Sequence, residues 1–314
     1  NAMEPSSDRR PLLDAEWLDL PDEACLRWYC WKSKVAERRG VLLLLNGRSE
    51  FLEKWDETAR DFAALGFDVL SLDWRGQGLS TRPLLGTDKG HIDSFDRYIK
   101  DLDVFFEKIV QPNAGGRPVG IVAHSMGGHI ALRFMADRSP PVRAAALSAP
   151  MIGFRTGPLH RTFVRSIAWA AVRIGLADRY TIGGHPFDPA KEPFDGNVLT
   201  SDQERYQVRM DYFEDYPELR VGSVTMGWLD AAFRTVRCMG MAGYLEQIKI
   251  PVLIAQGGKE ALVDNAAMTE AANRLPNGEL KTYPDAKHEL FMEKDEIRHP
   301  LMNAVDDFFT ANGV

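Results

Sequence analysis

Short apolar runs alternate along most of this chain with longer stretches of mixed polarity. Residues 41–45, 67–72, 119–123, 144–148 and 250–255 are of strand length, rich in Val, Leu, Ile and Ala, and bounded by Gly, Pro or Asp. A shorter run follows at 280–283. Strands that are apolar at nearly every position need cover on both faces. Between them, residues 52–65, 95–110, 127–137, 265–275 and 299–310 are amphipathic and predict helices. The alternation predicts an α/β protein with a mostly parallel central sheet flanked by helices. Residues 26–32 predict one further strand, antiparallel, at the sheet edge.

One stretch breaks the rhythm. From 151 to about 241 no buried strand is apparent, and the segment is rich in Arg, aromatics and helix formers, with loop signals at 181–184 and 186–195. It reads as a helical cap inserted over the end of the sheet. The expected division is a core of residues 11–150 and 241–314 with a cap of residues 151–240. There are no internal repeats and no low-complexity segment.

Bulk properties narrow the function. The net charge of -7 is spread along the chain, which disfavours nucleic acid, because phosphate binding needs clustered Lys and Arg. Cys25, Cys30 and Cys238 are odd in number and form no CxxC pair, which suggests a reducing compartment and a cytoplasmic protein. Asn1-Ala2-Met3 reads as the scar of a cleaved tag, and the polar residues 4–10 lack the apolar stretch of a signal peptide. The most apolar segment, 163–176, is short for a membrane span and carries Arg165 and Arg173. No His, Asp or Glu cluster has ligand spacing, so neither a metal nor another cofactor is expected.

The chemistry centres on Gly120-Ile121-Val122-Ala123-His124-Ser125-Met126-Gly127-Gly128-His129. A buried strand runs straight into Ser125 and a helix pattern starts after it. Strand, sharp turn and helix is the nucleophile-elbow context of an α/β-hydrolase fold. The strained turn crowds its neighbours, so small residues are needed two before and two after the serine, here Ala123 and Gly127. The helix N-terminus points its dipole and free N–H groups toward developing negative charge.

A serine hydroxyl is a weak nucleophile and needs a base, which in turn needs an orienting acid. In this fold the chain order is Ser, then acid, then His. Of seven histidines only His288 and His299 follow the last long strand, and His288 lies in the loop just past the final short strand. His288 is therefore the expected base. His299, beside Pro300, reads as a surface residue, and His124 as locally packed. The acid belongs in the loop 256–264, where both Glu260 and Asp264 qualify. The one not used would sit at the N-terminus of the helix 265–275. An oxyanion hole needs two backbone N–H groups. Met126, after the nucleophile, and Arg48, in the loop after the strand 41–45, are the expected donors. The glycine-rich loop 73–80 has no following lysine, so it reads as structural, shaping the pocket rim.

Taken together, Asn46-Gly47-Arg48-Ser49-Glu50, Asp73-Trp74-Arg75-Gly76-Gln77-Gly78-Leu79-Ser80 and His124-Ser125-Met126-Gly127-Gly128 resemble the bacterial lysophospholipase and monoacylglycerol-lipase-like hydrolases. Asn197-Val198-Leu199-Thr200 with Arg205-Tyr206, and Lys287-His288-Glu289-Leu290, are similar to that family as well. The resemblance runs from about Val41 to the C-terminus. It implies a cap over an acyl-binding pocket and ester hydrolysis through an acyl-enzyme, with a lysophospholipid or monoacylglycerol as substrate. Two positions depart from the family: Ala123 replaces the usual Gly, and Arg48 follows an Asn-Gly pair where a small residue after His-Gly is common.

In the segment 159–176, Phe163, Ile167, Trp169, Val172 and Ile174 interleave with Arg161, Arg165 and Arg173. Such a helix either packs its apolar face on the pocket or touches a lipid surface, which would make the protein peripheral to the inner membrane. Met226, Trp228 and Phe233 are candidates to line the pocket from the cap. Two other functions stay open: a peptidase of the proline-iminopeptidase type on the same scaffold, and a non-catalytic ligand-binding homologue.

Overall fold

The computed structural model describes residues 9–157 and 159–314; the Asn1-Ala2-Met3 segment lies outside the described residues. The predicted apolar runs become strands β3 (Gly40–Leu45), β4 (Phe67–Leu72), β5 (Val119–His124), β6 (Ala144–Ser148) and β7 (Val252–Gly257), and every residue of all five is buried. With β1 (Glu16–Asp19), β2 (Cys25–Trp31) and β8 (Gly278–Tyr283) they form one sheet of order β1-β2-β4-β3-β5-β6-β7-β8. From β4 to β8 the pairing is parallel; β2 runs antiparallel to β4, and β1 to β2.

The edge differs from the sequence reading. The antiparallel strand expected at the edge is the second strand, and β1 lies outside it. β1 exposes all but Leu18, so it has no apolar run to reveal it. Its only signature would be period-two alternation, and four residues are too few to show one.

The helices are α1 (Asp56–Ala64), α2 (Phe95–Phe105), α3 (Gln111–Ala114), α4 (Met126–Arg138), α5 (Arg161–Arg173), α6 (Gln203–Asp215), α7 (Met226–Met239), α8 (Asn265–Arg274) and α9 (Asp295–Ala311). A π turn over Phe106–Val110 joins α2 to α3. α9 starts four residues before the expected position, with Asp295 and Glu296 in its first turn and Pro300 inside. The acidic first turn suits the helix dipole. Pro300, sixth in the helix, has no N–H to give the Glu296 carbonyl, a break confined to the second turn.

One apolar core runs through the sheet and its helices, with Trp55, Trp74, Phe134 and Phe309 fully buried in it. α5, α6 and α7 all fall between β6 and β7. In that segment the described residues form isolated bridges and no strand. α5 rests on α7 through Ala168, Ala171 and Met226, and Tyr212 and Phe213 of α6 pack on Phe51. The segment is seated on the core by Trp228, Ala231 and Ala232 of α7 and, through Phe51, by α6.

Candidate active site

β5 delivers Ser125 into a turn with φ 50° and ψ -117°, and α4 begins at the next residue. A non-glycine residue there stores strain. The Ser125 N–H donates to the Ser148 carbonyl at 3.0 Å, which pins the turn to the neighbouring strand end. Gly127 shows why bulk is excluded: a Cβ on it would lie 2.3 Å from the Leu45 carbonyl oxygen. Ala123 is fully enclosed in the core, where its methyl is accommodated.

His288 follows β8 and is buried. Its Nε2 lies 3.0 Å from Ser125 Oγ, and its Nδ1 lies 2.7 Å from Glu260 Oε2. The other carboxylate oxygen of Glu260 accepts the N–H groups of Leu262 at 2.7 Å and Val263 at 3.1 Å. Burial alone would raise the Glu260 pKa. The hydrogen bond and charge of His288, with the two N–H groups, outweigh it and hold Glu260 below its ordinary value. Asp264 is placed differently. Its Oδ1 accepts the N–H groups of Ala266 at 2.9 Å and Ala267 at 3.4 Å, capping α8. Of the two acids the sequence allows, the structure brings Glu260 to the imidazole and leaves Asp264 on its helix.

Arg48 and Met126 line the same cavity as Ser125 and His288. Met126 is the first residue of α4, so its N–H has no intrahelical acceptor. The Arg48 N–H has no acceptor among the described residues. The loop carrying Arg48 is held from behind. Trp74 Nε1 donates to the Asn46 carbonyl at 2.8 Å, and Gln77 Nε2 to the Gly47 carbonyl at 2.6 Å. Buried Asp73 accepts the N–H groups of Leu52 and Leu79, both at 2.9 Å. Gly78, at φ 54°, must lack a side chain because a Cβ would fall 2.1 Å from the Asp73 carboxyl carbon. Residues 73–80 therefore buttress the 46–50 loop; they do not form the pocket rim expected from sequence, since none of them lines the cavity.

A charge network beside the imidazole is absent from the sequence reading. Lys54 Nζ donates to Glu50 at 2.7 Å and to Glu289, and all three side chains are buried. Burial would raise the Glu50 pKa, but Lys54, His124 and the Gly47 N–H bring it down to about 2. The His124 ring lies 4.8 Å from that of His288, and burial pushes its pKa down to about 4, so it is neutral at pH 7. Glu50, His124 and Glu289 bring three ligand-type atoms within 4.8 Å of one another. The Lys54 ammonium already bonds both carboxylates and supplies the cation there. Glu50 lies before the predicted helix 52–65, so its i,i+4 spacing from Lys54 was the one signal available.

The cavity measures about 610 Å³. Met151, Phe154, Phe187, Val221, Trp228 and Leu262 give it apolar walls. Of the three residues expected from the cap, only Trp228 lines it. Phe233 packs at a tilt against Phe154 and lines a separate cleft between α5, α7 and α8, and Met226 supports α5. The 197–205 motif clamps the loop of the base. The Glu289 N–H donates to the Leu199 carbonyl at 2.8 Å, Lys287 Nζ to the Asn197 carbonyl at 2.8 Å, and Thr200 Oγ1 to the Met292 carbonyl at 2.7 Å. Arg205 pairs with Glu57 and Asp295 across the same junction.

A covered, mostly parallel sheet with a serine at a strained turn on a central strand, and a histidine from the last strand's loop over it, is the α/β-hydrolase fold. Residues 36–295 match the family described as serine aminopeptidase, S33. Lysophospholipase L2 of Escherichia coli K12 is 32% identical over 296 residues, covering 92% of this chain and 85% of that protein. A probable lysophospholipase L2 of Haemophilus influenzae is 30% identical, covering 86% and 83%. Among solved structures, a soluble variant of the Saccharomyces cerevisiae monoglyceride lipase superposes with TM-score 0.78 at 19% identity, covering 100% of this chain and 99% of that one. The chain belongs to the serine aminopeptidase S33 family of α/β hydrolases.

Proposed function

We propose that this protein hydrolyses the carboxylic ester of a monoacyl lipid, a lysophospholipid or a monoacylglycerol, through an acyl-enzyme. The observation that carries this is the unbroken line Glu260–His288–Ser125 on the floor of an apolar-walled cavity. His288 takes the Ser125 proton as the hydroxyl attacks the ester carbonyl. Glu260 holds the imidazole in the tautomer that leaves Nε2 free to accept and stabilises the imidazolium that forms. The N–H groups of Met126 and Arg48 receive the oxyanion, each worth about 3 kcal/mol in such sites. His288 then returns the proton to the leaving alcohol, and water cleaves the acyl-enzyme by the reverse sequence. In this reading residues 151–240 are the cap, and residues 11–150 and 241–314 the catalytic core. Relatives named as lysophospholipases and a neighbour named as a monoglyceride lipase support the substrate class.

An aminopeptidase would need a free carboxylate near the nucleophile for the substrate's amine. Beside the triad Glu50 and Glu289 are both engaged by Lys54 and Glu192 by Arg209, which leaves only Asp188 and Asp195 of the lining carboxylates without a cation. The expected result is that monoacyl lipid esters are turned over at least a hundredfold faster, as kcat/KM, than aminoacyl or prolyl arylamides. Faster cleavage of the arylamides would overturn the ester reading.

The same reading sets the protein against a membrane through the α5 face. Phe163, Trp169, Ile174 and Ile182 are 57%, 53%, 73% and 75% exposed. Arg155, Arg161, Arg165, Arg173 and Arg179 are exposed among them, with Asp178 the one acid between 155 and 182, in a chain of net charge -7. No helix of the described residues is long and apolar enough to cross a membrane. The three cysteines are free, which fits attachment to the cytoplasmic side of the inner membrane. Each arginine near an anionic surface contributes about 1 kcal/mol. Cosedimentation with phosphatidylglycerol vesicles is expected, weakening at least tenfold on the double charge reversal Arg165→Glu/Arg173→Glu. Binding indifferent to both salt and this reversal would exclude the α5 face.

A further inference from the structure

The buried carboxylates and the buried Arg209 of the cavity are paired, and its remaining charges are Asp188, Lys191, Asp195 and Arg48. Glu50 and Glu289 share Lys54, Glu192 holds Arg209 at 2.9 Å, and Asp188 accepts the Ala190 N–H at 3.0 Å. Asp195 and Lys191 are exposed at the rim. Arg48 is left over. Its Nη1 donates to the Gly222 carbonyl at 3.1 Å, and no carboxylate among the described residues pairs with it. A guanidinium stays charged and carries five donors, so one carbonyl leaves both its charge and most of its N–H groups unanswered. Burial pushes its pKa down, and the nearby positive Arg209 adds to this.

The setting is built for this side chain. Gly90 leaves it room: a Cβ there would come within 3.0 Å of Arg48 Nη1. Arg209 is 8% exposed, lies over the rings of Tyr206 at 5.4 Å and Phe213 at 5.5 Å, and its Nε is buried without a partner. Both arginines line the cavity of Ser125. Gly47, the residue before Arg48, abuts the nucleophile: a Cβ on it would lie 3.2 Å from Ser125 Cβ. A cation without a counter-ion in a partly dry site favours an anionic ligand. In a glycerol lysolipid the phosphate lies one glycerol unit from the ester carbonyl.

We infer that Arg48, with Arg209 behind it, is the subsite for the headgroup phosphate of a lysophospholipid, which makes the preferred ester a phosphate-bearing monoacyl lipid over a neutral monoacylglycerol. This rests on the ester-hydrolase reading of the same cavity. Arg48 acts here as a specificity residue through its side chain; its backbone N–H survives any substitution but proline.

The test is a matched pair of short-chain substrates below their aggregation limits, 1-octanoylglycerol 3-phosphate and 1-octanoylglycerol, compared as a ratio of kcat/KM. The wild type is expected to favour the phosphate-bearing ester. Arg48→Met should lower that ratio by about tenfold to a hundredfold, the scale of a lost charge-assisted hydrogen bond. Arg48→Lys should restore part of it, and Arg209→Gln should lower it severalfold. A merely structural strut to Gly222 would reduce melting temperature and both activities together, leaving the ratio unchanged, and that result would overturn the inference. So would a wild type with no preference between the two esters. A wild type that cleaves neither would instead remove the ester reading on which it rests. Inorganic phosphate competing equally with both esters, at a wild-type ratio near one, would mark a free-phosphate site and overturn the headgroup assignment. If Arg48→Met does not fold, Arg48→Lys and Arg209→Gln carry the same comparison.

Discussion

Ser125→Ala is expected to lower kcat on a monoacyl ester by about 10⁴ to 10⁶-fold, the range in which loss of a triad serine leaves only binding and oxyanion stabilisation. The fold should survive. The backbone strain at φ 50° is the same for Ala and Ser, and the lost side-chain hydrogen bond is the one to His288 at 3.0 Å. The melting temperature should therefore stay within a few degrees. A fluorophosphonate probe should label the wild type and fail on the variant. Retained turnover would place the chemistry elsewhere. Absence of labelling in the wild type would favour a ligand-binding homologue that does no catalysis.

Glu260→Gln should cost about 10³ to 10⁴-fold in kcat with little change in KM. An amide in place of the carboxylate presents an N–H to Nδ1, favours the wrong imidazole tautomer and cannot stabilise an imidazolium. Asp264→Asn is the control. Asparagine caps a helix as well as aspartate does, so activity should stay within about twofold and stability within a few tenths of a kcal/mol. Reversal of the two effects would assign the acid to Asp264. Glu260 also carries a pH signature. Its folded pKa lies below its unfolded value. It therefore adds stability above the ordinary carboxylate range, and that contribution is lost as pH falls through the folded value. Urea midpoints should converge for wild type and Glu260→Gln in acid and diverge toward neutrality.

Much of this was legible in the residues because it follows from local rules. The buried strands announce themselves by unbroken apolar runs, and the elbow by a strand entering Ser125 and a helix leaving it. What escaped was of two kinds. β1 is short and exposed, so periodicity had nothing to register. The rest depends on which distant residues meet. Glu260 and Asp264 are equivalent by spacing, and only the path of the loop decides that one faces His288 and the other its own helix. Lys54 and Glu289 lie 235 positions apart, and no pattern within either segment foretells their bond. The 73–80 loop illustrates a third case: Gly78 does mark a close approach, but to Asp73, and it is the Gln77 side chain that reaches the 46–50 loop behind the site.

The bonds from residues 197–205 to the loop of His288 make the base a shared possession of two parts of the molecule. Its peptide neighbours hang on Leu199 and Asn197, and the salt bridges of Arg205 brace the same joint. Lifting that segment to admit a lipid would pull the imbalance straight into the imidazole, loosening the 3.0 Å contact to Ser125. Entry and proton transfer are thus mechanically joined: the side of the cavity formed by 197–199 must stay seated for His288 to be held against Ser125.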